Sequence, residues 1–127
     1  MINILVDEAY AFDYLSILEI KKNKDIRNQE IWLSCLENLR NQFEIKKWIS
    51  MITSEEYKEI VKANKLTFDA VEKAKNNEVG AQYVDFCNYQ RYVAKQNFQK
   101  KFFNEELAEQ KIGYEKYENS STNSSKK

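Results

Sequence analysis

The chain has 127 residues, 43% hydrophobic and 31% charged, a size and balance that suit one globular domain and argue against wholesale disorder. Its 20 basic and 20 acidic side chains cancel, so no overall field draws it to nucleic acid or to a membrane surface. Histidine is absent, which removes the commonest general base and the commonest transition-metal ligand.

Proline is absent too, and glycine occurs only at 80 and 113. Helices tolerate that composition better than multi-turn β-architectures do. The fold expected is therefore all-α: a compact bundle of about four long helices, or two stacked helical hairpins, with a short extended N-terminal lead-in. Residues 1–117 are expected to form this single domain and "ENSSTNSSKK", residues 118–127, a disordered polar tail. "MINILV" lacks a basic leader region, and no run approaches the roughly 20 apolar residues needed to cross a bilayer. The expectation is a soluble, cytoplasmic chain without membrane insertion and without a cofactor. Cys35 and Cys87 lie inside apolar helical patterns and read as buried reduced thiols.

In chain order, "INILV" is short and β-prone. It either covers one end of the core or pairs with another short strand. Asp7 then caps a first helix over about 8–23, and Asp25 caps a second. Trp32, Leu36, Leu39 and Phe43 make one apolar stripe on the second helix, which is expected to run on to about Ile49. "TSEE" offers a capping box of Thr53 and Glu56, starting a third helix near Ser54. Its expected seam is Tyr57, Val61, Asn64, Phe68 and Val71, with Gly80 as the C-terminal stop. The last helix is expected over about 81–107, burying Tyr83, Phe86, Cys87, Ala94 and Phe98.

Chemistry is sought where polar residues stand in costly places. The first helix is apolar on two opposite sides, so Asp13 should be at least partly buried. An unpaired buried carboxylate costs several kcal/mol or takes up a proton. Some donor must face it. The last helix supplies Gln90, Asn97 and Lys101 near its apolar stripe, with Ser16 joining from the first helix. One reading is a register-fixing polar network; the other is a pocket for a ligand. Asn64, in the middle of its seam, has the same two readings.

A second feature is "YQRYVAKQNFQKKFF", residues 89–103, which contains no acidic side chain. Arg91, Lys95 and Gln99 share one face, and Arg91, Lys95 and Lys100 are its candidates for phosphate contact. The competing reading is a solvated face beside a buried aromatic stripe. That reading is preferred, because the patch is short and Glu105, Glu106 and Glu109 blunt its field. Gly-rich phosphate loops, metal-ligand clusters and nucleophile–histidine pairs are missing.

The run "FDYLSILEIKK", residues 12–22, resembles the opening motif of a bacterial domain-of-unknown-function family with a D-K-L-[ST]-I-L-E-I-K pattern. Asp13, Leu15, Ser16, Ile17, Leu18, Glu19, Ile20 and Lys21 match it, and Tyr14 stands where the family has lysine. The far end is similar as well, in Asn97, Lys101 and "ELAEQKIGY" with Glu109, Lys111 and Tyr114. The resemblance implies a polar motif set of Asp13, Ser16, Glu19, Lys21, Asn97 and Lys101, and is silent on activity. The function expected is that of a small helical accessory or protein-interaction protein, with homodimerisation as one form. The alternatives are an enzyme or binding protein for an anionic or sugar-like small molecule at the Asp13 cluster and, more weakly, nucleic-acid binding through the last helix.

Overall fold

The computed structural model describes residues 1–103 together with 113, 114 and 117. Among them are five α-helices: α1 (Glu8–Lys24), α2 (Gln29–Arg40), α3 (Ile45–Ile52), α4 (Glu55–Lys75) and α5 (Ala81–Phe102), with a 3-10 turn over Ile26–Asn28 between the first two. No strand occurs among the described residues. The all-α expectation holds at that level. The expected tail over 118–127 lies outside the described residues.

α1 is the central element, packing against α2, α4 and α5, while α4 and α5 form the most extensive helix pair. Asp7 caps α1, its Oδ1 accepting from the Tyr10 amide at 2.7 Å. Ala9, Phe12, Leu15, Leu18 and Ile20 of α1 are buried. Phe12 is the hub of an aromatic core. Its ring centroid lies 4.9 Å from Phe98, 5.6 Å from Trp48 and 6.0 Å from both Phe43 and Tyr57, within the range of favourable tilted and edge contacts.

The expected second helix is broken in two. α2 ends at Arg40, a turn follows, and α3 begins at Ile45. The reason is rotational: at about 100° per residue, Trp48 would fall on the far side of a straight helix from Trp32, Leu36, Leu39 and Phe43. Breaking the helix lets Phe43 keep its ring against Phe12 while Trp48 and Met51 turn into the same core.

The start of α4 lies one residue later than the capping box placed it. Ser54, not Thr53, is the N-cap, and its Oγ accepts from the Tyr57 amide at 3.0 Å. The Thr53 hydroxyl instead donates to the Ile49 carbonyl at the end of α3. The stop is corrected as well. α4 ends before Asn77, whose φ of 60° is left-handed. The Asn77 amide donates to Ala74 and the Glu78 amide to Lys73, the two bonds of a Schellman ending. Gly80 is the N-cap of α5.

Both long helices are rotated from their expected faces. α4 buries Tyr57, Ile60, Ala63, Asn64, Thr67 and Ala70, and leaves Val71 exposed. α5 buries Cys87, Tyr89, Ala94, Lys95, Phe98 and Gln99, while Tyr83 and Phe86 lie on the surface. It ends at Phe102, short of residue 107. Among the described residues the lead-in forms no strand, and Ile2, Ile4 and Leu5 are largely exposed.

Candidate functional site

Asp13 and Ser16 stand three residues apart on α1 and so share one face. Asp13 is 5% exposed and Ser16 fully buried. Opposite them α4 brings Asn64, 1% exposed. Its amide nitrogen donates to Asp13 Oδ1 at 2.8 Å and to Ser16 Oγ at 3.0 Å. An ionised carboxylate only accepts, so this contact fixes which end of the Asn64 amide points inward. From α5, Arg91 Nη2 donates to Asp13 Oδ2 at 2.9 Å, and its Nη1 reaches Asn88 Oδ1 at 3.3 Å. Both carboxylate oxygens are therefore held, one by a neutral amide and one by a guanidinium.

Further along the same junction α5 caps α1. Gln99, 1% exposed, accepts from the Ala9 amide at 2.9 Å and donates from Nε2 to Glu8 Oε1 at 2.9 Å. The Ala9 amide is one of the four a helix start cannot satisfy internally. Between these two contacts the buried Lys95 holds its ammonium 5.6 Å from the Tyr10 ring centroid, within cation–π range. Arg91, Lys95 and Gln99 thus descend α5 in steps of four and meet Asp13, Tyr10 and Ala9 on α1.

This corrects the reading of the basic face. The stripe is not solvated: Lys95 is buried and Arg91 is three-quarters so, 24% of its side chain remaining exposed. Of the phosphate-contact candidates, Lys100 is exposed. The partners proposed for Asp13 are corrected too. Asn97 is exposed and lines a surface groove with Glu59, Lys62 and Phe86. Lys101 is exposed and lies 3.2 Å from Glu56 Oε1, an oxygen otherwise sealed without a hydrogen bond. Glu19 is half-buried and Lys21 exposed. The motif set therefore splits, with Asp13 and Ser16 in the network and Lys21, Asn97 and Lys101 on the surface.

Tyr57 stands beside this junction, its ring edge-on to both Phe12 and Phe98. Burial pushes its phenol well above the ordinary range, and the neighbouring Glu19, Cys35 and Asp13 reinforce the shift. Burial likewise raises the half-buried Cys35 thiol, which disfavours the reactive thiolate. Among the described residues no group of three metal-ligating side chains comes together, and no helix is long and apolar enough to cross a membrane.

At the other end of α5, Tyr114 and Tyr117 fold back onto Tyr89 and Tyr92. Tyr89 and Tyr117 stack at 4.7 Å, and the Tyr117 hydroxyl donates to Asp85 at 3.1 Å. Glu109 and Lys111 lie outside the described residues. Periodicity alone missed Arg91 as the partner of Asp13. The signal that could have found it is the four-residue spacing of Arg91, Lys95 and Gln99 within residues 89–103, a stretch with no acidic side chain, facing a helix that carries a buried acid. Comparison with family models, curated proteins and solved structures finds no match, so the resemblance of residues 12–22 to the D-K-L-[ST]-I-L-E-I-K family rests on those residues.

Proposed function

We propose that the chain is a helical interaction protein whose contact surface is the lead-in together with the Tyr10–Tyr14 edge of α1. The Asp13 network holds that edge in place. The observation that carries this reading is a group of exposed apolar side chains. Met1, Ile2 and Leu5 are 87% exposed or more, Ile4 is 68% exposed, and Tyr10 and Tyr14 are nearly half exposed one turn apart. Ile2, Ile4 and Val6 line one groove with Tyr10, Tyr14, Cys35 and Leu39. Exposed apolar side chains gathered in one place mark an interaction surface, whereas singly scattered ones do not. Tyrosines at its edge suit a contact that needs both apolar area and a hydroxyl.

Binding of an anionic or sugar-like molecule by Asp13, Ser16 and Asn64 has less support, because their polar atoms are engaged with one another and with Arg91. A ligand would have to break those bonds before making its own. Nucleic-acid binding has less still, since two of its three basic candidates face α1.

The test is photo-crosslinking in cells, with a photoreactive phenylalanine analogue at Tyr14 and, as control, at the exposed Glu72 of α4. The reading expects protein adducts from position 14 and few from position 72. Equal or absent adducts at both would overturn it.

A further inference from the structure

We propose that α5 carries a binding site for a tyrosine side chain, built from Asp85, Phe86 and Tyr89, and that Tyr117 fills this site from within the chain as a latch. The site lies apart from the lead-in surface, so it stands or falls independently of the interaction reading above.

Helical spacing assembles the site. Asp85, Tyr89 and Tyr92 stand at i, i+4 and i+7 on α5 and share one face, with Phe86 one turn before Tyr89. Tyr117 meets three of these four residues, each by a different kind of contact. Its ring stacks on Tyr89 at 4.7 Å and stands edge-on to Phe86 at 5.8 Å, both favourable aromatic arrangements. Its hydroxyl donates to Asp85 Oδ2 at 3.1 Å. A carboxylate only accepts, so the site reads a ring and a donor together. Phenylalanine would supply the ring alone. The chemistry selected is that of a phenol.

The approach of Tyr117 is built as specifically as its seat. Gly113, one of the chain's two glycines, has a φ of 99°, in the left-handed region where a side chain is strained. The next residue, Tyr114, sets its ring 5.4 Å from Tyr89 and 6.1 Å from Tyr92. The Tyr117 amide then donates to the Tyr114 carbonyl at 3.0 Å. That turn brings both rings to the same side of α5.

The contacts of Tyr117 define what can replace it. When the latch lifts, the buried Tyr89 loses a stacked ring and Asp85 loses this donor. A tyrosine of another protein restores both. Phe86 also lines the groove between α4 and α5 with Leu66, Gln90 and Val93, so a segment that inserts its tyrosine here has an adjoining channel to follow. One side chain gripped by two rings and a carboxylate binds weakly in trans, with Kd on the order of 1 mM. Tyr117 is held at the site by its own chain, which raises its effective concentration there. A free ligand therefore enters only those molecules whose latch is open.

Titration of the isotope-labelled full chain with the acetylated and amidated peptide GYEKYE, residues 113–118, followed by NMR, tests this. The double variant Tyr114→Ala/Tyr117→Ala vacates the site. It is expected to bind the peptide with saturable shifts centred on Asp85, Phe86 and Tyr89 and a Kd on the order of 1 mM. Wild type is expected to bind at least about tenfold more weakly, because its latch is closed. Gly113→Val leaves every ring in place but strains the turn, and is expected to bind the peptide at least about threefold more tightly than wild type. Against the vacated variant, the peptide carrying Tyr117→Phe should bind at least about threefold more weakly, and adding Asp85→Ala to the protein should have a similar effect. Far-ultraviolet spectra of the latch variants should match wild type, since positions 113, 114 and 117 follow α5. The proposal is overturned if the vacated variant shows no saturable shifts, if wild type or Gly113→Val departs from the order given, or if loss of the hydroxyl leaves the affinity unchanged.

Discussion

The carboxylate of Asp13 and the guanidinium of Arg91 meet at 2.9 Å across a sequence separation of 78 positions. Their pairing explains two otherwise unfavourable choices: an acid on an apolar stretch of α1 and a basic stripe turned inward on α5. Asn64 completes the junction from α4. Three helices are thereby held in one rotational setting, because a turn of any of them by one residue would strand a buried donor or the buried acid. Apolar side chains alone tolerate such slippage better, since they pack without direction.

The first prediction concerns Asp13 alone. Asp13→Ala takes one of its two acceptors from the buried Asn64 amide, leaving Ser16 Oγ, and leaves Arg91 without its counter-charge. The expected loss is about 2–4 kcal/mol, moderated because Arg91 retains some access to water. Asp13→Asn keeps an oxygen for Asn64 but presents an amide to Arg91, and should fall between Ala and wild type. Urea denaturation of the three proteins measures both losses. A ligand site would show instead unchanged or raised stability in both variants.

How much of this was legible beforehand differs by residue. Asp13 had to be buried and paired, because apolar residues surround it on α1. Its partner was hidden because helical periodicity gives the relative angles within a helix but not which side faces inward. On α5, Tyr83 and Phe86 form a plausible apolar stripe with Phe98, yet both lie on the surface. The polar stripe of Arg91, Lys95 and Gln99 goes inward because Asp13 and the free Ala9 amide await it there. That is a long-range matter. The break between α2 and α3 was hidden for a similar reason: Phe43 and Trp48 converge on Phe12, a residue of another helix. The cap of α4 was missed by one residue because Thr53 and Ser54 are both competent, and Thr53 closes α3 instead.

The aromatic hub yields a second prediction. Phe12 is fully buried among Phe43, Trp48, Tyr57 and Phe98. Phe12→Ala should cost about 3–5 kcal/mol, while Phe12→Leu should cost less by filling part of the void. Near-ultraviolet circular dichroism should lose intensity in the alanine variant as the surrounding rings lose their fixed setting. Retained intensity with wild-type stability would contradict the hub.

Gln99 carries the third. Removing its side chain frees the Ala9 amide at the start of α1, for an expected cost of about 1 kcal/mol. Hydrogen exchange should quicken at Ala9 well before it does in the middle of α1. Uniform quickening along α1, or none, would show that Gln99 is not its cap.

A fourth prediction follows from Tyr57, whose phenol is raised chiefly by burial. In the unfolded chain a tyrosine loses its proton near pH 10, whereas folded Tyr57 keeps it to higher pH. Above about pH 10 the unfolded state therefore binds fewer protons, and stability falls as pH rises. Below that pH Tyr57 adds no slope. Tyr57→Phe removes the effect, so its stability should decline less steeply on the alkaline side. Parallel curves for variant and wild type between about pH 9 and 11 would contradict it.

The most direct test of the account is a double-mutant cycle on Asp13 and Arg91, read by urea denaturation of wild type, Asp13→Ala, Arg91→Ala and the double variant. A sealed structural pair predicts that the double variant is less destabilised than the sum of the two singles, with a coupling of about 1–3 kcal/mol. Additive losses within about 0.5 kcal/mol, or single variants that unfold with wild type, would contradict the claim that this junction holds α1 and α5 together.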